Sequence, residues 1–249
     1  MSSKLDKFSQ DGFVALPQVV SGAEFAELLA QIQRFIAEVL PGLPPEHVFY
    51  EDKEDPATLK QIQQMGQHDA WFHELFTAGC FRRIAEELLE GPVVPKNMQY
   101  FNKPPEIGRA TPSHQDGYYF MLDPCEAVTM WFALDPADES NGCVHYVRSS
   151  HRDGMRPHGR TETLGFSQGI VDYPLESDRE RELAMVAQPG DLMVHHALTI
   201  HRAGANPSPR HRRALGFIYY SEHAREDVAA HQAYQEKLAR EMRDAGKLV

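Results

Sequence analysis

The apolar positions of this chain change spacing along its length. Phe25, Leu28, Leu29, Ile32, Phe35, Ile36 and Val39 recur three and four apart, which predicts an amphipathic helix packed on a core. Ser21 stands three residues before Glu24, the spacing of a capping box, and Pro41-Gly42 close the run. Before it, DGFVALPQVV reads as a short extended piece. Residues 41–70 begin polar and Pro-rich, then predict helix around ATLKQIQQM. Phe76, Phe81, Ile84, Leu88 and Leu89 predict another, running to Gly91-Pro92. Residues 1–92 are therefore expected to be mostly helical.

From Val93 to about residue 221 the texture becomes strand-like. VVPKNMQYF, AVTMWFAL, GCVHYV, AMVAQ, DLMVHH and RALGFIYYS are short runs rich in β-branched or aromatic residues, punctuated by Gly, Pro, Asn and Asp. Six strands without intervening helices predict an antiparallel sandwich or jelly roll. Within it, 152–182 is polar and Gly-rich, and an insert of that length is a functional lid or a disordered segment. Over 222–249 helical spacing returns, with Val228, His231, Tyr234, Leu238 and Met242 on one face. There is no internal repeat, and one domain over 1–249 is the expectation.

Composition narrows the function classes. The 249 residues carry a formal charge of −11, which gives no general attraction to nucleic-acid phosphates or an anionic bilayer. No apolar run approaches the roughly 18 residues of a membrane span. MSSKLDKFSQDGF lacks the apolar stretch of a secretory signal. Cys80, Cys125 and Cys143 contain no C-x-x-C pair, which argues against a disulfide framework and a zinc ribbon and makes a reducing cytoplasm the expected compartment. Neither nucleic acid nor membrane is an expected partner, and the chain is expected to be a monomer or homodimer. The count that stands out is 13 histidines.

Two segments carry candidate chemistry. In TPSHQDGYYF, His114 and Asp116 are two apart. On a strand they would share a side, roughly 6.6 Å apart, and could converge on one metal ion while Gln115 points away. The pair alone is uninformative: composition predicts about two His-x-acid pairs, and the chain has two, the second (His151/Asp153) reading as a surface turn. Its company matters more. Downstream, GDLMVHHALTIHRAGANPSPRHRRALGFIYYS places His201 at the end of a strand-like run and Arg212 at the start of the next. Two histidines and one carboxylate leave metal positions open, as in non-haem Fe(II) oxygenases. An arginine nearby suits the far carboxylate of a chelating cosubstrate. Arg212, Ala214, Gly216 and Ile218 share a face, and the small residues would leave room for it. His195 and His196 must face apart, so only one of them could face a metal; the expectation is that one caps a turn and the other packs. Tyr118 and Tyr119 also face apart, between core and pocket wall.

These residues bring a family into view. The chain resembles the phytanoyl-CoA dioxygenase family of Fe(II)- and 2-oxoglutarate-dependent oxygenases. The likeness runs from FSQDGFVALPQVVS to IYYS. It is most specific at HQDGYY (114–119), WFALDPADESNGCVHYVRSSH (131–151) and GDLMVHHALTIHRAGAN (190–206). The spacing of eleven between His201 and Arg212 also matches. The resemblance implies a mainly β fold: a double-stranded β-helix core, jelly-roll and cupin-like, with N-terminal helices and a C-terminal helix. It makes His114, Asp116 and His201 the iron ligands. It makes Arg212, not Arg210 or Arg213, the partner of the 2-oxoglutarate distal carboxylate, with Trp131 and Gln99 near the cosubstrate and Asn97 on the same strand face. Ala203 departs from the pattern, because many members have a small hydroxyl residue there. A secondary hydrogen bond to the cosubstrate is then either missing or supplied by Thr129 or Thr199.

The implied activity uses Fe(II), 2-oxoglutarate and O2 to hydroxylate an unactivated C–H bond of a small organic metabolite, releasing succinate and CO2. Because Asp116 is present, no position is vacated for a halide, which favours hydroxylation over chlorination. Desaturation or epoxidation by the same fold stays open, as does a non-catalytic metal- or small-molecule-binding module. A wall including Asn97, Gln99, Lys103, Tyr118 and parts of 41–70 and 152–182 favours a small polar substrate over a long acyl chain. Arg148, Arg152, Arg156 and Arg160 read as a solvated loop face, the alternative being an anion site.

Overall fold

The structure, a computed structural model, describes residues 3–161 and 168–230, together with 232, 233, 236 and 240. The chain opens with α1 (Lys4–Asp11), whose capping box is complete: the Ser3 hydroxyl accepts from the Asp6 N–H and the Asp6 carboxylate from the Ser3 N–H. β1 (Phe13–Leu16) follows, then α2 (Gly22–Arg34), which buries Leu28 and Ile32 as the periodicity predicts. Ser21 precedes α2 without a side-chain cap bond, so the expected capping box does not form there.

The next segment corrects the helical expectation. β2 (Val48–Tyr50) and β3 (Leu59–Ile62) are strands, so LKQI within ATLKQIQQM is extended. Leu, Lys and Gln are good helix formers, but β3 pairs with β2 and with the following strand, and all four of its residues are buried. Burial on both faces erases the alternation that marks a strand. α3 (Met65–His68), α4 (Ala70–Ala78) and α5 (Cys80–Leu88) come next. The single helix expected here is divided at Gly79, where a Cβ would lie 2.4 Å from the Leu75 carbonyl oxygen.

Five of the six expected strands form along most of their length, and AMVAQ contributes only Ala184 and Met185 to a strand that begins earlier. The β-rich part comprises β4 (Val93–Lys103), β5 (Thr111–His114), the short α6 (Gly117–Phe120), β6 (Leu122–Asp123), β7 (Ala127–Ala133) and β8 (Val144–Val147). After them come β9 (His158–Arg160), β10 (Gln168–Ile170), α7 (Glu176–Arg181), β11 (Glu182–Met185), β12 (Leu192–His196), β13 (His201–Ala203), β14 (Arg212–Ser221) and β15 (Arg225–Glu226). One antiparallel sheet runs β1-β12-β7-β14-β4-β3-β2, and a second runs β11-β8-β13-β5. Together they form the two walls of a cupin-like jelly roll.

Alternation divides the larger sheet's two faces. Leu215, Phe217 and Tyr219 of β14, with Val128, Met130 and Phe132 of β7, pack outward into the main core. There Phe81 stacks on Phe217 at 4.0 Å and meets Phe132 edge-on at 5.4 Å, so α5 covers that face. The intervening residues face inward between the sheets, and the functional side chains are found there. Within 152–182, β9 and β10 pair and α7 follows. After β15, which pairs with β6, helical backbone begins at Val228. His231, Tyr234, Leu238 and Met242 of the expected helix face lie outside the described residues. Among the described residues no helix is long and apolar enough to cross a membrane.

Candidate metal centre

His114 ends β5, and His201 opens β13 directly opposite it. Asp116 is not on the strand with His114, as expected, but in the turn that opens α6, with helical backbone angles. The turn swings its carboxylate back. Oδ1 of Asp116 lies 3.4 Å from His114 Nε2 and 3.6 Å from His201 Nε2. One ligand atom from each residue falls within 4.8 Å of the others, a set that could hold one metal ion. The remaining ring nitrogens fix the tautomers. His114 Nδ1 donates to the Pro112 carbonyl at 2.8 Å and His201 Nδ1 to the Thr199 carbonyl at 3.0 Å. A carbonyl only accepts, so each Nε2 is left as a lone pair facing the centre.

Charge reinforces the arrangement. Burial works to raise the Asp116 carboxyl, but His201, His114 and His195 hold it well below the ordinary carboxylate range. Burial, then the neighbouring His114 and His195, drives His201 well below the usual imidazole value, against Asp116. An ionised carboxylate and a neutral imidazole are what a divalent ion needs.

The triad opens into a cavity of about 520 Å³. Farther along its wall Arg212 is 5% exposed, and its guanidinium sits 5.1 Å from the Trp131 ring centre. Its Nε has no hydrogen-bond partner among the described residues. Burial pushes this guanidinium down to about 10, against the pull of Cys143 and Asp135. Lys103, opposite Arg212 on β4, is also buried. Burial, then Arg212 and Lys60, push its ammonium down to about 6, with Glu51 opposing. A buried guanidinium with an unpartnered Nε could take up an anion.

One strand touches both ends of the cavity. Thr129 and Trp131 share the inner face of β7 about 7 Å apart; the hydroxyl of the first touches Asp116 and the ring of the second lies against Arg212. Arg210 pairs with Asp138 and Arg213 with Asp135, so of the three only Arg212 lines the cavity.

The family model for phytanoyl-CoA dioxygenase (PhyH) matches residues 8–214. The chain belongs to the phytanoyl-CoA dioxygenase family. It is a 2-oxoglutarate-dependent non-haem iron dioxygenase, using Fe(II), 2-oxoglutarate and O2. It is 26% identical over 252 residues to the peroxisomal phytanoyl-CoA dioxygenase of Mus musculus, covering 94% of this chain and 72% of that one. Among solved structures it resembles EvdO2 from Micromonospora carbonacea var. aurantiaca, with 27% identity and a TM-score of 0.71 over 90% of this chain and 92% of that one. It shares the fold of EctD from S. alaskensis, solved with 2-oxoglutarate and 5-hydroxyectoine, with 19% identity and a TM-score of 0.71 over 87% and 74% of the two chains.

The other residues expected from this family's pattern are placed as follows. Gln99 lines the cavity, and its Oε1 accepts from Gln61 Nε2 at 2.6 Å; Asn97 lines it too, and its Oδ1 accepts from the Gln64 N–H. The Thr129 hydroxyl donates to Asp116 Oδ2 at 2.5 Å, so it is directed at the carboxylate. Thr199 donates to the Gly12 carbonyl. Gly216 leaves less room than expected, because a Cβ there would lie 2.5 Å from the Phe101 ring, which occupies that space. Tyr119, rather than Tyr118, lines the cavity; Tyr118 stacks on His158 at 4.3 Å. The reason is that both lie on α6, not on a strand. Gln115 points away, donating to the Gly154 and Leu198 carbonyls. Of the four loop arginines none lines the cavity among the described contacts; Arg156 instead pairs with Asp172 and Asp178.

His195 corrects the expectation that one of the paired histidines caps a turn and the other only packs. His196 Nδ1 accepts from the Leu198 N–H, as a turn cap would, but His195 turns inward and its Nε2 lies 3.1 Å from Asp116 Oδ2. Alternation held the signal: Leu192 and Val194 face the main core, which sends Met193 and His195 the other way. Lys60, in the segment expected to be helical, also lines the cavity and pairs with Glu51 at 3.2 Å.

Proposed function

We propose that the enzyme hydroxylates an unactivated C–H bond of a small polar metabolite, with succinate and CO2 as the other products. The observation that carries this reading is one cavity with two poles: three converging metal-ligand atoms, and a buried arginine with an unsatisfied Nε beside Trp131. His114 and His201 would hold iron through Nε2 and Asp116 through Oδ1. Arg212 would grip the distal carboxylate of 2-oxoglutarate with parallel N–H groups, and Trp131 would keep that guanidinium aimed inward. When bound, the ferrous ion supplies oxygen activation coupled to oxidative decarboxylation of the keto acid.

The chain's own residues position and select. Tyr119, Phe120 and Tyr220 line the cavity and would help to keep water from the reacting centre once substrate is bound. Asn97, Gln63, Gln64 and the Lys96–Glu226 pair, 3.0 Å apart, offer donors and acceptors that a long acyl chain could not use. That supports a compact, polar substrate.

The test is conversion of 2-oxoglutarate to succinate with Fe(II), first alone and then with pooled small metabolites under isotopically labelled oxygen. Wild-type turnover, its loss in Asp116→Ala, and one labelled oxygen atom in a metabolite are expected. Undiminished turnover in Asp116→Ala overturns the ligand assignment. A metabolite oxidised without gaining the label points to desaturation or rearrangement instead of hydroxylation.

A further inference from the structure

The two oxygens of Asp116 keep different company. Oδ1 faces the Nε2 atoms of His114 and His201. Oδ2 receives the Thr129 hydroxyl at 2.5 Å and lies 3.1 Å from His195 Nε2. A carboxylate only accepts, so in this contact His195 Nε2 carries the proton. In the neutral ring Nδ1 is then a lone pair, and the Tyr146 hydroxyl, 3.0 Å away, donates to it. A directed chain therefore runs from the Tyr146 O–H through the His195 ring to Asp116 Oδ2.

Every link of that chain is held. His195 is 3% exposed and Tyr146 0%. In the sheet His195 pairs with Thr129 on one side and Phe13 on the other, and Phe13 stacks on the Tyr146 ring at 4.7 Å. The His195 N–H is thereby confined to one direction.

We infer that His195 is a positioning residue that fixes Asp116 as a one-oxygen metal ligand. This rests on the metal centre proposed above. With two donors on Oδ2, the carboxylate loses hydrogen bonds if it rotates to chelate through both oxygens. Coordination positions on the far side stay open for the cosubstrate and O2. The same donors draw charge from the carboxylate and so tune the ion it binds. A phenyl ring at position 195 would approximate the shape of the imidazole and leave Thr129 as the one donor of the two.

The probe is Co(II) alone, titrated into metal-free protein without 2-oxoglutarate and followed by visible absorption. His195→Phe is expected to weaken Co(II) binding about 10–100-fold and to change the absorption bands. His195→Gln, which keeps an N–H donor, is expected to recover most of the affinity and the wild-type bands. Wild-type affinity and bands in His195→Phe overturn the inference, as does a Gln variant no better than Phe. Melting of the metal-free proteins shows whether each variant folds. Should His195→Phe not fold, Tyr146→Phe tests the chain from its far end: Co(II) binding a few-fold weaker supports the inference, and unchanged binding overturns it. A wild-type protein that does not take up Co(II) overturns the proposed metal centre itself, a separate outcome.

Discussion

Single side chains decide the chemistry at the far pole of the cavity. Arg212→Gln removes the cation but leaves the Trp131 wall. Losing a charge-assisted contact of about 1.5–3 kcal/mol should raise the 2-oxoglutarate KM about 10–150-fold. Arg213→Gln breaks only the Asp135 pair and should leave that KM near wild type. Succinate formation against 2-oxoglutarate concentration reads both, and reversed effects would put the carboxylate elsewhere. Lys103 makes a prediction in pH. Its ammonium is pushed from 10.5 to about 6 in the folded protein, chiefly by burial. Between those values the unfolded chain holds a proton that the folded protein lacks. This group's contribution to stability therefore rises with pH across that window and is flat below it. Lys103→Met removes the contribution. Denaturant unfolding of ligand-free protein between about pH 7 and 9 should show the wild type gaining up to about 1.4 kcal/mol per pH unit relative to the variant. Parallel curves would mean that Lys103 keeps its proton when folded.

At the scale of elements, what was legible in the sequence depended on which face each segment buries. β7, β12 and β14 set apolar residues against the outer core and chemical ones inward, so alternation and the His201-to-Arg212 spacing located them. β3 buries both faces, and its Lys and Gln line the cavity, so it read as helix. The His195–Asp116 contact joins positions 79 apart, and no local pattern announces such a pair. Asp116 was found by motif, but its turn geometry depends on the long-range pairing of β5 with β13. Asp69 gives a test confined to one element. Its carboxylate accepts from the Trp71 and Phe72 N–H groups at the start of α4 and pairs with Arg34 at 2.7 Å. Asp69→Ala should cost about 1–2 kcal/mol in denaturant unfolding by loss of the cap. Because α4 packs outside the larger sheet, Co(II) affinity should not change. A loss of metal affinity would show that the helical layer also shapes the centre.

Across the whole molecule, the segment 152–182 is fastened to the wall that carries the metal ligands. Gln115, between His114 and Asp116, accepts from the Arg156 N–H through Oε1, and Tyr119 donates to the Gln168 carbonyl at 2.7 Å. At the other end Glu182 binds Arg202, the residue after His201, and accepts from Tyr173. Arg156 ties the segment to itself: its side chain, 12% exposed, pairs at 2.7 Å with Asp172 and with Asp178, whose side chain is 1% exposed. Arg156→Leu would leave the buried Asp178 without this partner, and breaking such a pair costs about 3–5 kcal/mol. The cost falls on the insert, because the two sheets keep their own pairing. Local opening of this kind raises protease susceptibility without global unfolding. Limited proteolysis of Arg156→Leu should therefore cut between residues 154 and 182 much faster than in wild type, while the sheets melt near the wild-type temperature. No described residue of the segment lines the cavity, so the share of succinate matched by oxidised substrate should stay near wild type. A fall in that share would show that the segment also screens the reacting centre; unchanged cutting would mean that Arg156 does not hold it.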